Sequence, residues 1–276
     1  MEVILGGLTS ILYGVADFLG GEGAKRAPAA SVVLWAGVFS FPIVVVVALV
    51  VGGETSPGDY LIGSAAGVSG AFGLVLLFAG LGRGHAAAVA PVSAALAAIV
   101  PVVGAVIGGE RPSTLAWIGV GVAVPAIVLC AWVADPGDTL GGGVLYGLAA
   151  GLGFGGFAAI IRFTSTDSNL LPLIASRGAT MVIVLSLTAV GVWKLVGFKS
   201  LPRPVVLGSG LLDVAGNVTL LLALRAGSVA AAAVAASFYP VVTVTLAGFV
   251  NSEHLRTRQA LGLGLALAAM VAITLG

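Results

Sequence analysis

The sequence predicts an all-α membrane protein in which ten transmembrane helices form two inverted five-helix repeats around a central cavity. Three observations carry that expectation. Of 276 residues, 59% are hydrophobic and 8% charged, against about 25% charged in a soluble domain, so most of the chain must face lipid or other apolar helices. Breaks at charged, Gly and Pro clusters divide it into ten apolar runs of the ~20 residues a spanning helix needs. The two halves also repeat each other at a shift of 143 positions, which lays Gly84 on Gly227, Glu110 on Glu253, Gly119 on Gly262 and Gly121 on Gly264. Five spans per half is an odd number, so the second half enters the membrane in the opposite sense.

The spans follow in order. The first, 3–21, starts after Glu2 rather than a basic region and lacks an A-x-A cleavage site, which reads as a retained helix. Span two is 29–51 and contains Pro42; span three is 60–81; span four, 86–108, contains Pro91 and Pro101. Span five, 115–134, contains Pro125 and is bracketed by Trp117 and Trp132, ~22 Å apart along a helix, as interfacial tryptophans should be. Span six, 141–162, places Gly143, Gly147, Gly151 and Gly155 four residues apart, a side-chain-free ridge suited to close helix contact. Span seven is 171–193, ended by Trp193; the last three are 205–224, 229–250 and 258–275. The expected organisation is a first repeat over 1–134, a connecting loop at 135–140 and a second repeat over 141–276. Linkers this short leave no room for a soluble domain.

Charged residues inside spans are the best pointers to function, because an Asp at a helix centre costs ~2.5–3.5 kcal/mol and persists mainly where it lines water or serves a purpose. Asp213 lies ~12 Å into span eight, and Ser209, Asp213 and Asn217 follow at intervals of four as one polar stripe. Such a stripe suits substrate binding, and Asp213 suits proton exchange; a carboxylate satisfied by neighbouring helices is the alternative. Asp17, with Tyr13 and Thr9 on the same face, is the second proton-coupling candidate, with an interfacial position as its alternative. Arg177 can face an anionic group or a carboxylate, or snorkel to the interface. Trp35, Tyr146, Phe154 and Tyr239 lie within spans and suit an aromatic cavity wall or simple packing; Pro240 beside Tyr239 would bend its helix there. Glu110 and Glu253 read as structural turn residues.

The second-half run A-L-R-A-G-S-V-A-A-A-A-V-A-A-S-F-Y-P-V-V-T-V, with Q-A-L-G-L-G beyond it, and its counterpart G-H-A-A-A-V-A-P-V-S-A-A-L-A-A-I-V-P-V-V with G-G-E-R-P, resemble the EamA-type repeat of the drug/metabolite transporter superfamily. The resemblance implies a multi-pass protein of the cell membrane that moves small metabolites without ATP. The reading is a secondary transporter of amino acids or related compounds, including toxic ones, working by alternating access in the direction of export. Uptake of sugars or nucleotide precursors is the alternative. Asp17 also resembles, in placement, the first-helix acidic residue of small multidrug exporters in that superfamily.

Other classes find little support. An intramembrane enzyme would need a motif such as H-E-x-x-H or G-x-S-x-G, and His85 and His254 both sit at helix ends. A net charge of +1 without a basic run excludes a nucleic-acid partner, and the single cysteine, Cys130, excludes a cysteine-built metal site. The expected partners are the lipid bilayer and a small-molecule substrate. No cofactor is expected beyond a proton gradient, and a monomer suffices. The resemblance implies cytoplasmic termini, whereas counting Lys and Arg in the loops favours the reverse; a reporter fused at Gly276 decides between them.

Overall fold

The computed structural model describes residues 1–109, 111–131, 142–226, 235–252 and 256–276. Glu110, Trp132, the loop at 135–140, the first residues of span nine, Glu253 and His254 lie outside the described residues. Among the described residues ten α-helices are seen: α1 (Glu2–Ala24), α2 (Ala29–Val51), α3 (Pro57–Leu81), α4 (Ala86–Ile107), α5 (Thr114–Ala131), α6 (Gly142–Ile161), α7 (Leu171–Ala189), α8 (Arg203–Arg225), α9 (Tyr239–Asn251) and α10 (Thr257–Leu275). No strand occurs among the described residues. Eight of the helices are long and apolar enough to cross a membrane; α5 and α9 are shorter apolar helices. Their outer faces carry large apolar side chains, with Val50 81%, Ile107 82% and Phe249 85% exposed, as expected where the solvent is lipid.

Helix limits follow local chemistry. α3 begins at Pro57, three residues before the expected span, because Ser56 and Asp59 form a capping box: the Asp59 amide donates to Ser56 Oγ at 3.2 Å and the Ser56 amide donates to Asp59 Oδ2 at 2.8 Å. α7 stops four residues earlier than expected. Gly191 takes a positive φ of 80° just after it, which ends the helix, so Trp193 does not close a span. It lies in the connector to α8, where its ring meets Phe72 edge-on at 5.4 Å.

The most extensive packing pairs are α5 with α10, α4 with α6, α1 with α8, and α3 with α6. Next come α3 with α7, α1 with α9, and α2 with both α7 and α8. Glycine permits these approaches. Along the α6 ridge, a Cβ at Gly143 would meet His85, which caps α4, at 2.8 Å; at Gly147 it would meet Val92 at 2.9 Å and at Gly151 the Ser93 carbonyl at 2.7 Å, while Gly155 faces Val100, these three on α4. α3 and α7 touch through backbone, since a Cβ at Gly67 would overlap the Ser176 carbonyl. In lipid, where burying apolar surface gains little, such close van der Waals contact is what holds helices together.

Candidate functional site

A cavity of about 230 Å³ lies within the bundle. Its lining comes from six helices, five of which contribute residues at helical spacing. α1 supplies Tyr13 and Asp17, one turn apart; α8 supplies Asp213 and Asn217, also one turn apart. α7 gives Leu173, Ser176, Arg177 and Thr180, and the apolar side is Gly70 and Leu74 of α3 with Phe154 and Phe157 of α6. Tyr239 closes the lining from the first turn of α9. A recess of about 30 Å³ shares Asp17, Leu74, Arg177, Thr180 and Asp213 with the cavity and reaches toward α2 at Val33, Gly37 and Ser40.

The strongest polar contact is an ion pair between the Arg177 guanidinium and Asp213 Oδ2, joining α7 to α8; the two side chains are 19% and 24% exposed. A charge pair so placed fixes the geometry of both helices, because either partner alone would be a largely desolvated charge. Asn217 donates through Nδ2 to the Asp213 carbonyl at 2.7 Å. The Thr180 hydroxyl donates to the Gly67 carbonyl at 3.0 Å, where α3 comes close. Asp17 has no hydrogen-bond or salt-bridge partner among the described residues.

Of the residues singled out in the sequence, Asp17, Tyr13, Arg177, Asp213, Asn217 and Tyr239 all reach the cavity. Ser209 lines only the recess, and its hydroxyl donates to the Ala16 carbonyl on α1 at 2.9 Å, so it is engaged in helix packing. Trp35 is not brought to the cavity. Its Nε1 donates to the Val196 carbonyl in the α7–α8 connector at 3.1 Å, and its ring lies 5.5 Å from that of Phe198. That connector folds back over α2, which a span-depth argument does not foresee. Leu173, Ser176, Thr180 and Phe157 were not singled out, yet the first three sit at −4, −1 and +3 from Arg177 and could have been found from helical periodicity alone. Among the described residues, no group of three or more His, Cys, Asp or Glu side chains could hold a metal ion.

Apolar helices on all sides, with an ion pair and a second carboxylate around a cavity inside the bundle, describe a polytopic membrane protein with a charged interior site. The sequence comparison agrees: the chain belongs to the EamA-like transporter family, which it matches over residues 1–132 and 141–275. No curated protein matches it. A solved crystal structure is similar over 99% of this chain and 97% of its own, with a TM-score of 0.61 at 17% identity, which speaks for the fold alone.

Proposed function

We propose that the protein carries small organic metabolites, amino acids or related compounds and toxic compounds among them, across the cell membrane by alternating access, in the direction of export. The observation that carries this reading is the convergence of Asp17, Arg177 and Asp213 on one cavity inside the bundle, where charge is expensive and therefore purposeful. Asp213 and Asp17 are the residues through which a proton gradient would act, and the protein is not an enzyme.

Ten spans as two inverted five-helix halves, 1–134 and 141–276, are part of the same proposal. Exchanging α1–α5 with α6–α10 turns the pair α1–α8 into α3–α6, α2–α8 into α3–α7 and α1–α9 into α4–α6, and leaves α2–α7 and α5–α10 as themselves. Two halves with matching partners can rock against each other around a fixed site, which alternating access requires. Cross-half loop contacts at both ends fit such a motion. At one end the Glu54 amide donates to the Asp167 carbonyl at 3.0 Å and Asn169 Nδ2 to the Gly52 carbonyl at 3.1 Å; at the other the Val196 amide donates to Ser31 Oγ at 2.9 Å.

The test is movement of labelled amino acids and small metabolites in proteoliposomes, with and without a pH gradient, for the wild type, Asp17→Asn and Asp213→Asn. Gradient-accelerated movement that either substitution abolishes is the expected result. Movement indifferent to the gradient and to both substitutions would make the protein a facilitator. No movement of any compound would remove the transport reading.

A further inference from the structure

The two ends of the bundle differ in charge where corresponding loops meet. At one end the α2–α3 linker touches the α6–α7 connector through Glu54 and Asn169, and the charged residues of those two segments are Glu54, Arg162 and Asp167. Exchanging the halves turns that meeting into the α1–α2 loop against the α7–α8 connector, where the charged residues are Lys25, Arg26, Lys194 and Lys199. Glu22, the nearest acid before this loop, pairs with Lys25 at 2.7 Å. No Asp or Glu occurs between Asp167 and Asp213, so the connector has no acidic neighbour along the chain. Scaffold symmetry would give both ends the same charge; the surplus at this one is an addition.

The α7–α8 connector is laid out as an element of the membrane surface. It joins two helices long and apolar enough to span, so it lies where the chain leaves the hydrocarbon. Trp193, Leu195, Val196 and Phe198 pack onto the main apolar core, while Lys194 and Lys199 are exposed. Its backbone is pinned to α2: the Val196 amide donates to Ser31 Oγ at 2.9 Å, and the Val196 carbonyl accepts from Trp35 Nε1 at 3.1 Å. Arg26 is exposed on the adjoining loop, and Arg203, exposed at the start of α8, stands over the Phe198 ring at 5.4 Å. Fixed cations at this depth, beside an interfacial tryptophan, meet lipid phosphates. We propose that this basic face binds the headgroups of anionic phospholipids. A lipid with net negative charge complements the surplus, whereas a zwitterionic headgroup brings an ammonium of its own. The proposal uses the membrane location of the chain and does not depend on what the protein carries.

The test is equilibrium binding of tail-labelled phosphatidylglycerol to the full-length protein in neutral detergent, against phosphatidylcholine with the same tails. Phosphatidylglycerol should bind at least about tenfold tighter, since each Lys or Arg near an anionic surface strengthens association about fivefold. Lys194→Gln with Lys199→Gln should remove about tenfold or more of that affinity, and Lys194→Arg with Lys199→Arg should keep it. Arg111→Gln with Arg162→Gln, which deletes the same charge at the opposite end, should bind as the wild type. Raising the salt to about 1 M, where the screening length falls to about 3 Å, should abolish the preference in the unaltered protein, a result that does not depend on how any variant folds. Inorganic phosphate at the concentration of the lipid should not displace it. The proposal is overturned if phosphatidylcholine binds as tightly, if the glutamine pair in the connector leaves phosphatidylglycerol affinity unchanged, if the opposite-end pair loses as much, or if inorganic phosphate displaces the lipid, which would make the face a site for the free ion.

Discussion

The seam between α1 and α8 and the seam between α3 and α6 exchange places when the two sequence repeats are swapped, yet they are built from different chemistry. Across α1–α8, Ser209 donates to the Ala16 carbonyl at 2.9 Å, Thr9 donates to Thr219 Oγ1 at 2.9 Å, and both cavity carboxylates stand on these two helices. Across α3–α6 the backbones of Gly73 and Gly153 touch, Phe154 covers Gly73, and the Ser69 hydroxyl donates to the Gly153 carbonyl at 2.9 Å. Neither α3 nor α6 brings a charged side chain to the cavity. The repeat therefore supplies a common scaffold, and divergence between its copies supplies a charged wall and an apolar wall. A cargo carried there, as proposed, would meet opposite demands on its two sides.

The largest expected effect breaks the charged wall. Asp213→Ala leaves the Arg177 guanidinium without its partner and should destabilise the protein by about 3 kcal/mol, the low end for breaking a buried pair because both side chains keep some exposure. The double variant Arg177→Met with Asp213→Leu, which removes the pair rather than half of it, should lose clearly less. Thermal unfolding in detergent compares them. Equal losses would mean that the ion pair is incidental to the stability of this seam.

The apolar wall should yield next. Gly153→Val introduces a side chain where the α3 backbone lies against α6 at Gly73 and Ser69, and overpacking of that kind costs about 1–3 kcal/mol. Gly121→Val, at a glycine with nothing near its missing Cβ, is the control and should melt close to wild type. A Gly153 variant as stable as the control would show that the two walls are not set by helix approach.

How much of this was legible beforehand varies with what the residue contacts. Asp17, Asp213 and Asn217 declare themselves because a polar residue amid an apolar run is informative whatever surrounds it. Ser209 shares their helical face, but periodicity says which way a side chain points and not what the opposing helix offers; here it offers the Ala16 carbonyl. The α6 glycine ridge announced a close partner without naming α4 as that partner. Trp35 was placed by depth in its span, and no span argument contains the α7–α8 connector that covers it. The end of α7 at Gly191 was likewise hidden, since apolar residues continue to Trp193 and only the backbone turn marks the stop.

Ser209 sharpens the comparison at smaller scale. Ser209→Ala removes one hydroxyl from the α1–α8 seam and leaves the Ala16 carbonyl in its own helix, so a loss of about 1 kcal/mol is expected. Ser69→Ala removes the corresponding bond to Gly153 from α3–α6 and should cost about the same. If only the first variant loses stability, hydrogen bonding matters to the charged wall alone and the glycine contacts suffice for the other.

The smallest expected effect lies outside both seams. Trp35→Phe keeps an aromatic ring against Phe39 and Phe198 but deletes the Nε1 donor to the Val196 carbonyl. Because that carbonyl belongs to the connector and not to the cavity, stability should fall by about 0.5–1.5 kcal/mol while cargo affinity stays at the wild-type value. Melting temperature and equilibrium binding measured on the same preparation separate the two quantities. A large drop in affinity with little change in melting would mean that Trp35 reaches the cargo in a conformation other than the one described, with the connector lifted from α2, and the division of the cavity into two walls would then need a third.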